Sequence, residues 1–313
     1  MADHDPIELT LRTDDGVRIG ARRHEPAGEP VAVTLIHGAT AVPQAYYGAY
    51  ARWLAAHGHR VLTYDYRGIG SSRPESLRGF DATMTDWALR DARAAFAWQR
   101  AEADASGLPT YAIGHSFGGQ LIGMLDEYRQ VDGVMLVASQ MGFWRSWPVA
   151  AWPKFALLWY GLVPVATALT GYLPGSLGLR TDLPAGVARE WGRWCRHPDY
   201  LAGHVADAAE RFTRFDRPTL LWTFDDDDFA PPGTIAALVD RLANAPLAIR
   251  AVSRGGHFGF FRAAMADPLW DESLAFFDSL RRGEALDLPL GGPHRDLGVR
   301  LHDVMHDLAS TPV

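Results

Sequence analysis

The sequence predicts an α/β fold with a mostly parallel central sheet, helices on both faces of that sheet, and a helical cap inserted between two strands. Short apolar runs alternate with longer stretches of helical pattern along most of the 313 residues. Strands separated by helices of this length imply right-handed crossovers and a parallel sheet. The alternation stops over residues 141–212, which hold six of the eleven tryptophans, and then resumes.

The strand predictions depend on the side-chain pattern of each run. Residues 7–12 and 17–23 alternate apolar and polar side chains around Asp15-Gly16, which predicts a β-hairpin. The later runs are more continuously apolar, as strands buried on both faces are. They occur at residues 31–36, 60–64, 110–113, 133–138, 219–224 and 247–252.

Helices are predicted in the intervals between these strands and after the last one. Their approximate bounds are 43–57, 83–103, 117–129, 232–242 and 268–281. Residues 141–212 show no strand-like run. The predicted domains are therefore a first part of the core (1–140), the tryptophan-rich cap (141–212), and a second part of the core with a C-terminal tail (213–313).

Composition excludes several classes of function. The formal charge of −7 argues against a nucleic-acid partner, which requires clustered basic charge. Cys195 is the only cysteine and Lys154 the only lysine, which excludes intrachain disulfides, cysteine zinc sites and the P-loop. The acidic, polar start MADHDPIELT is unlike a signal peptide, so we expect a cytoplasmic protein.

One apolar segment is long enough to raise the question of whether it contacts a membrane. Residues 155–179 carry no charged side chain, but Pro164 should divide the apolar part into two halves too short to span a bilayer. We favour buried lid helices. A pair of helices lying on a membrane surface, or a transmembrane helix, remains an alternative.

A candidate nucleophile stands in the stretch YAIGHSFGG, where Ser116 occupies the centre of a Gly-x-Ser-x-Gly pattern after an apolar strand. A serine raised on a sharp strand-to-helix turn has a strained backbone and needs neighbours without a bulky Cβ, which Gly114 and Gly118 provide. The alternative is an ordinary glycine-rich turn with a surface serine. We expect His115 to be structural.

A serine hydroxyl needs a base, and the base needs an acid to orient it. His257 is the candidate base because it follows the last predicted strand in a glycine-containing loop. The acid should come from the run of four aspartates, residues 225–228, at the end of the 219–224 strand. The resulting order is Ser, Asp, His. His37, after the 31–36 strand, is expected to serve packing and hydrogen bonding, with contact to the substrate as the alternative.

With these residues in this order, the chain resembles the α/β-hydrolases over nearly its whole length. LIHGA (35–39) is similar to the family's His-Gly loop, and DYRGIGSSRP (65–74) to the loop after its fourth strand. The family's Asp-x-apolar-x-Pro pattern selects Asp227, with Asp226 as the rival. The resemblance also implies an oxyanion hole formed by the N–H groups of Ala39 and Phe117. Two longer stretches, residues 38–72 and 182–201, carry a narrower resemblance. They are similar to an uncharacterised bacterial group of predicted α/β-hydrolases allied to the serine aminopeptidase-like class.

These features predict a serine hydrolase that cleaves an ester through an acyl-enzyme, acting on a small to medium hydrophobic substrate without metal or cofactor. Amidase, aminopeptidase-like or thioesterase activity on the same triad remains an alternative, as does a non-catalytic scaffold. Hydrolysis of lipids at a membrane through the cap is disfavoured. The spacing of His302 and His306 resembles a zinc helix, but the intervening residues and the position in the tail argue against one.

Overall fold

The computed structural model describes residues 5–284. The strands are β1 (Ile7–Arg12), β2 (Arg18–His24), β3 (Ala32–His37), β4 (His59–Tyr64), β5 (Thr110–His115), β6 (Gly133–Val137), β7 (Tyr172–Leu173), β8 (Leu183–Pro184), β9 (Thr219–Phe224) and β10 (Leu247–Val252). The helices are α1 (Gly48–Ala56), α2 (Met84–Asp86), α3 (Arg93–Ser106), α4 (Phe117–Gln120), α5 (Trp152–Leu157), α6 (Val163–Thr170), α7 (Ala185–Cys195), α8 (Ala208–Arg214), α9 (Pro232–Val239) and α10 (Ala266–Arg281).

Eight of these strands form one sheet in the order β1-β2-β4-β3-β5-β6-β9-β10. Neighbouring strands in the part of the sheet ordered β4-β3-β5-β6-β9-β10 are parallel. Strand β2 is antiparallel to both β1 and β4. The sequence predictions of a mostly parallel sheet and an N-terminal hairpin are thus confirmed. All parallel strands end at one edge of the sheet, where the loops after β3, β5, β9 and β10 gather.

The core lies on both faces of the sheet, as the alternation of side chains requires. On β6, Met135 and Val137 belong to one buried cluster and Val134 and Leu136 to the other. Helices α1 and α10 cover the first face; α3, α8 and α9 contribute to the second. Because both faces are covered, the central strands are fully buried, which explains their nearly unbroken apolar sequences.

The helix predicted at 117–129 is mostly wrong. Only α4 is α-helical, and 3₁₀ turns at Leu121–Gly123 and Asp126–Gln130 follow it. Three glycines weaken helix formation in this stretch. In addition, the ring of Phe212 on α8 packs directly onto the backbone of Gly123, where an added Cβ would lie 2.1 Å from a ring carbon.

The segment between β6 and β9 contains α5 to α8, together with the two-stranded antiparallel pair β7–β8 that the sequence pattern missed. Its longest helical run, Val149–Thr170, is continuous across Pro164 and is, by length and composition alone, long and apolar enough to cross a membrane. A π-helical turn, Leu158–Leu162, changes the hydrogen-bond register just before the proline, which has no N–H to offer.

The expectation of buried lid helices is wrong for most of this run. Only 11% of its most apolar 18-residue window is buried inside the protein. Leu157 is 70% exposed and Leu169 is 74% exposed. Packing onto the rest of the segment takes up one face, and the opposite face remains in contact with solvent.

Candidate active site

Ser116 stands on the sharp turn between β5 and α4. Its backbone angles, φ 52° and ψ −112°, lie outside the regions favoured by residues with a side chain. The turn is fixed from both sides, because the Ser116 N–H donates to the carbonyl of Val137 and its carbonyl accepts from Gly119 N–H. A strained residue held in this way indicates a functional constraint.

The glycines around Ser116 are required by close backbone contacts. A Cβ on Gly114 would lie 2.5 Å from the nitrogen of Gly119, and one on Gly118 would lie 2.2 Å from the carbonyl oxygen of His37. Neither contact can be relieved by rotating a side chain. The pattern read from the sequence therefore has a steric explanation: it brings α4 against the end of β5 and the loop after β3.

His257 lies in the loop after β10 and is 7% exposed. Gly255 and Gly256, with φ of 148° and 55°, bend the chain just before it. Its Nδ1 forms a hydrogen bond of 2.8 Å with Oδ2 of Asp227. Since a carboxylate can only accept, Nδ1 carries the proton and Nε2 is left as the unprotonated nitrogen of the neutral ring.

The four aspartates after β9 have different environments, which separates the two candidates for the acid. Asp227 is buried and its Oδ1 accepts from the N–H groups of Phe229 and Ala230. The other three are exposed. The carboxylate of Asp226 instead accepts from the N–H groups of Gly255 and Gly256, so it shapes the loop without contacting the imidazole.

Ser116 and His257 line one cavity of about 70 Å³. The cavity lies at the C-terminal edge of the parallel strands, where ligands of open α/β sheets bind. Its other lining residues come from the loops of the core and from the segment between β6 and β9: Ala39, Thr40, Gln120, Gln140, Gly178, Leu179, Arg180, Trp191, Phe229 and Phe258. The structure thus brings Ser116 and His257 to one small cavity, and Asp227 is hydrogen-bonded to the His257 ring without lining the cavity itself.

The two predicted oxyanion donors differ in whether their backbone N–H group already has a hydrogen-bond partner. Phe117 is the first residue of α4, where backbone N–H groups have no partner within the helix. The N–H of Ala39, in contrast, donates to the hydroxyl of Tyr47 at 2.7 Å. Ala39, the second predicted oxyanion donor, lines the cavity, and its N–H is occupied by this hydrogen bond.

A chain of buried hydrogen bonds that the sequence did not reveal connects this donor with His257. Tyr47 also bonds Nδ1 of His115 at 2.9 Å, and Nε2 of His115 bonds the carbonyl of His257 at 2.8 Å. The carbonyl can only accept, so Nε2 of His115 carries a proton, and in the neutral form of the ring Nδ1 accepts from the hydroxyl of Tyr47. Burial lowers the pKa of His115 well below its usual value, which agrees with a neutral ring.

His37 is also buried and has no place in the cavity lining. Its Nδ1 shares a hydrogen bond of 2.7 Å with the hydroxyl of Tyr64, and its ring packs against Phe96 and Tyr128. Burial lowers its pKa to about 3. These contacts give it the packing and hydrogen-bonding position expected from the sequence.

Arg180 adds a positive charge to the cavity wall. Its guanidinium lies 4.5 Å from the ring centroids of both Tyr46 and Phe258. The nearby carboxylate of Asp182 pairs with Arg73 instead. Cation–π contacts on two sides hold the guanidinium at the cavity without neutralising its charge.

Other nucleophilic and metal-binding groups do not contribute to this site. Cys195 is buried, and burial raises the pKa of its thiol well above the usual value. Within residues 5–284, no group of three or more His, Cys, Asp or Glu side chains could hold a metal ion. The His302–His306 pair considered from the sequence lies outside the described residues.

Comparison with known proteins gives a family-model match and several structural similarities. The model of the alpha/beta hydrolase family matches residues 35–269. No curated protein sequence matches the chain. The fold is similar to a soluble variant of monoglyceride lipase from Saccharomyces cerevisiae, with TM-score 0.65 and 14% identity over 89% of this chain and 97% of that one. It is also similar to a Pyrococcus furiosus esterase (TM-score 0.61, 13% identity, 89% and 91% covered). The esterase domain of a Rhodothermus marinus protein gives TM-score 0.55 and 18% identity, with 89% and 99% covered.

Proposed function

The chain belongs to the α/β-hydrolase family, and from this we propose that it is a serine hydrolase that cleaves carboxylic esters through an acyl-enzyme on Ser116. The observation that carries the proposal is the shared cavity of Ser116 and His257, with the His257 ring held by Asp227 at 2.8 Å. A serine nucleophile, an imidazole base and a carboxylate that orients the base are the three groups that acyl transfer of this type uses.

In the first step, Oγ of Ser116 attacks the carbonyl carbon of the ester while its proton passes to Nε2 of His257. The imidazolium formed is stabilised by the Asp227 carboxylate. The tetrahedral intermediate then collapses, the bond from carbon to the leaving oxygen breaks, and Nε2 gives its proton to that oxygen. The alcohol departs and leaves Ser116 acylated.

The second step repeats the sequence with water. Nε2 of His257 accepts a proton from a water molecule whose oxygen attacks the acyl carbon. Collapse of the second intermediate breaks the bond to Oγ, and the imidazolium returns the proton to Ser116. The carboxylic acid is released and the free enzyme is restored.

Each intermediate carries a negative oxygen that needs hydrogen-bond donors, each worth about 10²–10³ in rate. The N–H of Phe117, at the start of α4, is available for this role. The N–H of Ala39 can serve only after exchanging the Tyr47 hydroxyl for the substrate oxygen. Substrate binding would therefore rearrange one hydrogen bond in the loop after β3.

The substrate is proposed to be small to medium in size with an apolar acyl group. Leu179, Trp191, Phe229 and Phe258 supply apolar surface to the cavity. We assign residues 141–212 as the cap, because Leu179 and Trp191 bring part of this segment to the catalytic groups. Because Arg180 places a positive charge at the cavity, substrates that carry a negatively charged group should be tested beside neutral ones.

The decisive experiment is labelling with a fluorophosphonate, which phosphonylates an activated serine and releases fluoride whatever the natural substrate is. We expect one modification, on the peptide that contains Ser116. The Ser116→Ala variant should not react, and Ser106→Ala, at an exposed site on α3, should react like the wild type. Wild-type protein that reacts no faster than Ser116→Ala would overturn the proposal.

The reaction class can be assigned with 4-nitrophenyl esters of increasing chain length, a matched 4-nitroanilide, a matched thioester, and one ester with a terminal carboxylate. We expect the ester of an apolar acyl group to be cleaved fastest, with Ser116→Ala losing at least about 10³-fold. Faster cleavage of the anilide or the thioester would instead assign an amidase or a thioesterase.

A further inference from the structure

The helical run Val149–Thr170 has two faces of unusual character. Trp159, Val163 and Thr167, at intervals of four residues, are buried and form its inner face. The outer face contains Leu157, Tyr160, Val165 and Leu169 as exposed side chains. A helix on the surface of a protein in water normally presents polar and charged side chains outward, so this exposed face indicates an apolar partner.

The inner face is fixed to the rest of the cap. The ring of Trp159 packs against that of Trp191, with centroids 5.0 Å apart. Thr167 accepts a hydrogen bond from the guanidinium of Arg189 on α7. A helix tied along its length to a second, charged helix is suited to lie along a membrane surface rather than to cross the bilayer.

The charge around the helix favours one type of surface. Residues 141–180 contain three of the 30 basic residues and none of the 37 acidic ones. Two of the three, Arg145 and Lys154, are exposed beside aromatic rings. In a protein of net charge −7, a segment with only positive charge is complementary to negatively charged lipid headgroups.

We propose that Val149–Thr170 docks the protein onto the surface of membranes that contain anionic lipid. The outer-face side chains enter the boundary between headgroups and acyl chains, while Arg145 and Lys154 contact the headgroups. Trp191, which lines the catalytic cavity, touches Trp159 of the docking helix. Docking would therefore place the lipid surface against the helix whose inner face packs on this cavity-lining residue. The binding itself does not depend on catalysis.

The test is flotation of the full-length protein with vesicles of phosphatidylcholine alone or with about one third phosphatidylglycerol. Wild-type protein should float with the anionic vesicles and less with the neutral ones, and added salt should weaken the binding. Removing the charges in Arg145→Gln and Lys154→Gln should lower the partition coefficient by roughly fivefold for each charge.

The decisive variant is the double substitution Leu157→Glu with Leu169→Glu, which places two charges on the outer face. We expect it to lose at least about tenfold in partitioning. The control is Ile7→Glu, because Ile7 is also apolar and 44% exposed but lies on β1. It should float like the wild type, and all variants should retain fluorophosphonate labelling.

Three outcomes would overturn the proposal. The first is wild-type protein that does not float, and the second is equal flotation of the wild type and the double variant. The third is a dimer in sedimentation experiments that the double variant converts to a monomer, without vesicle binding by either. That result would assign the outer face to a second copy of the chain. If labelling of Ser116 fails while flotation holds, only the proposed catalytic function is lost.

Discussion

The adjacent carboxylates of Asp226 and Asp227 allow a stringent test of the proposed mechanism. Both are changed to asparagine, one at a time, which preserves size and removes one charge. Asp227 contacts the imidazole of His257 and Asp226 contacts only backbone N–H groups. Each variant therefore removes one negative charge, and the two positions are adjacent in the chain.

The expected effect of Asp227→Asn follows from its hydrogen bonds. Oδ1 accepts from the N–H groups of Phe229 and Ala230, at 2.8 and 3.0 Å, and only the amide oxygen of asparagine can keep these bonds. The amide NH₂ group must then face Nδ1 of His257. That group donates, so Nδ1 must accept, and the ring proton moves to Nε2. His257 then directs an N–H toward the cavity and cannot take a proton from Ser116.

A wrong tautomer of the base costs about 10⁴ in kcat, which corresponds to about 5.5 kcal/mol of transition-state stabilisation. Folding should change little because both N–H bonds to Oδ1 are kept. Asp226→Asn retains one of the two backbone contacts, so it should lose less than about tenfold, the equivalent of one net hydrogen bond.

The assay is the steady-state rate with the best 4-nitrophenyl ester, together with the thermal midpoint of each variant. An Asp227→Asn protein that keeps more than a tenth of wild-type kcat would refute the assigned role. A larger loss in Asp226→Asn than in Asp227→Asn, at unchanged stability, would transfer that role to Asp226.

Three further predictions concern the surroundings of the site. The Tyr47→Phe variant frees the N–H of Ala39 and leaves Nδ1 of His115 without its hydrogen-bond partner. Its free energy of unfolding should fall by about 1–3 kcal/mol, and its kcat should stay at the wild-type value. A lower kcat at unchanged stability would contradict this. Gly118→Ala should destabilise the fold by about 1–3 kcal/mol, because its added Cβ meets the His37 carbonyl. Gly28→Ala is the control: its added Cβ has nothing within 4 Å, so the stability should not change. Equal urea midpoints for the two variants would argue against the steric explanation. Burial strongly lowers the pKa of four histidines in the described part of the chain, so below about pH 6.5 the unfolded chain binds protons that the folded chain does not. At about pH 5 each should cost roughly 2 kcal/mol, and urea midpoints that stay constant from pH 7 to 5 would contradict this. The four are His24, His37, His59 and His115.

The parts of the fold that the sequence predicted well are those determined by local pattern. The central parallel strands are buried on both faces, so most of their side chains are apolar. The Ser116 turn was predictable because its Gly-x-Ser-x-Gly pattern lies within five consecutive residues, although Gly118 packs against the carbonyl of the distant His37. The position of Asp227 was selected by a family pattern, and its burial relative to Asp226 distinguishes the two.

The features that were missed depend on contacts between distant residues. No local pattern indicates that Phe212 packs onto Gly123 and ends the predicted helix, or that Tyr47 takes the N–H of Ala39. An apolar helical pattern also cannot specify what covers each face of the helix. For Val149–Thr170 the sequence favoured burial, whereas the described fold covers one face alone.

The hydrogen bonds from Ala39 through Tyr47 and His115 to His257 have a consequence for local unfolding. They join the loop after β3, the end of β5 and the loop after β10, although His115 and His257 are 142 residues apart in the chain. Groups joined in this way open together in cooperative units rather than one by one. Amide hydrogens in these three segments should therefore exchange with a common opening free energy, and Tyr47→Phe should divide that unit in two. The catalytic edge of the sheet would then loosen in separate steps instead of one.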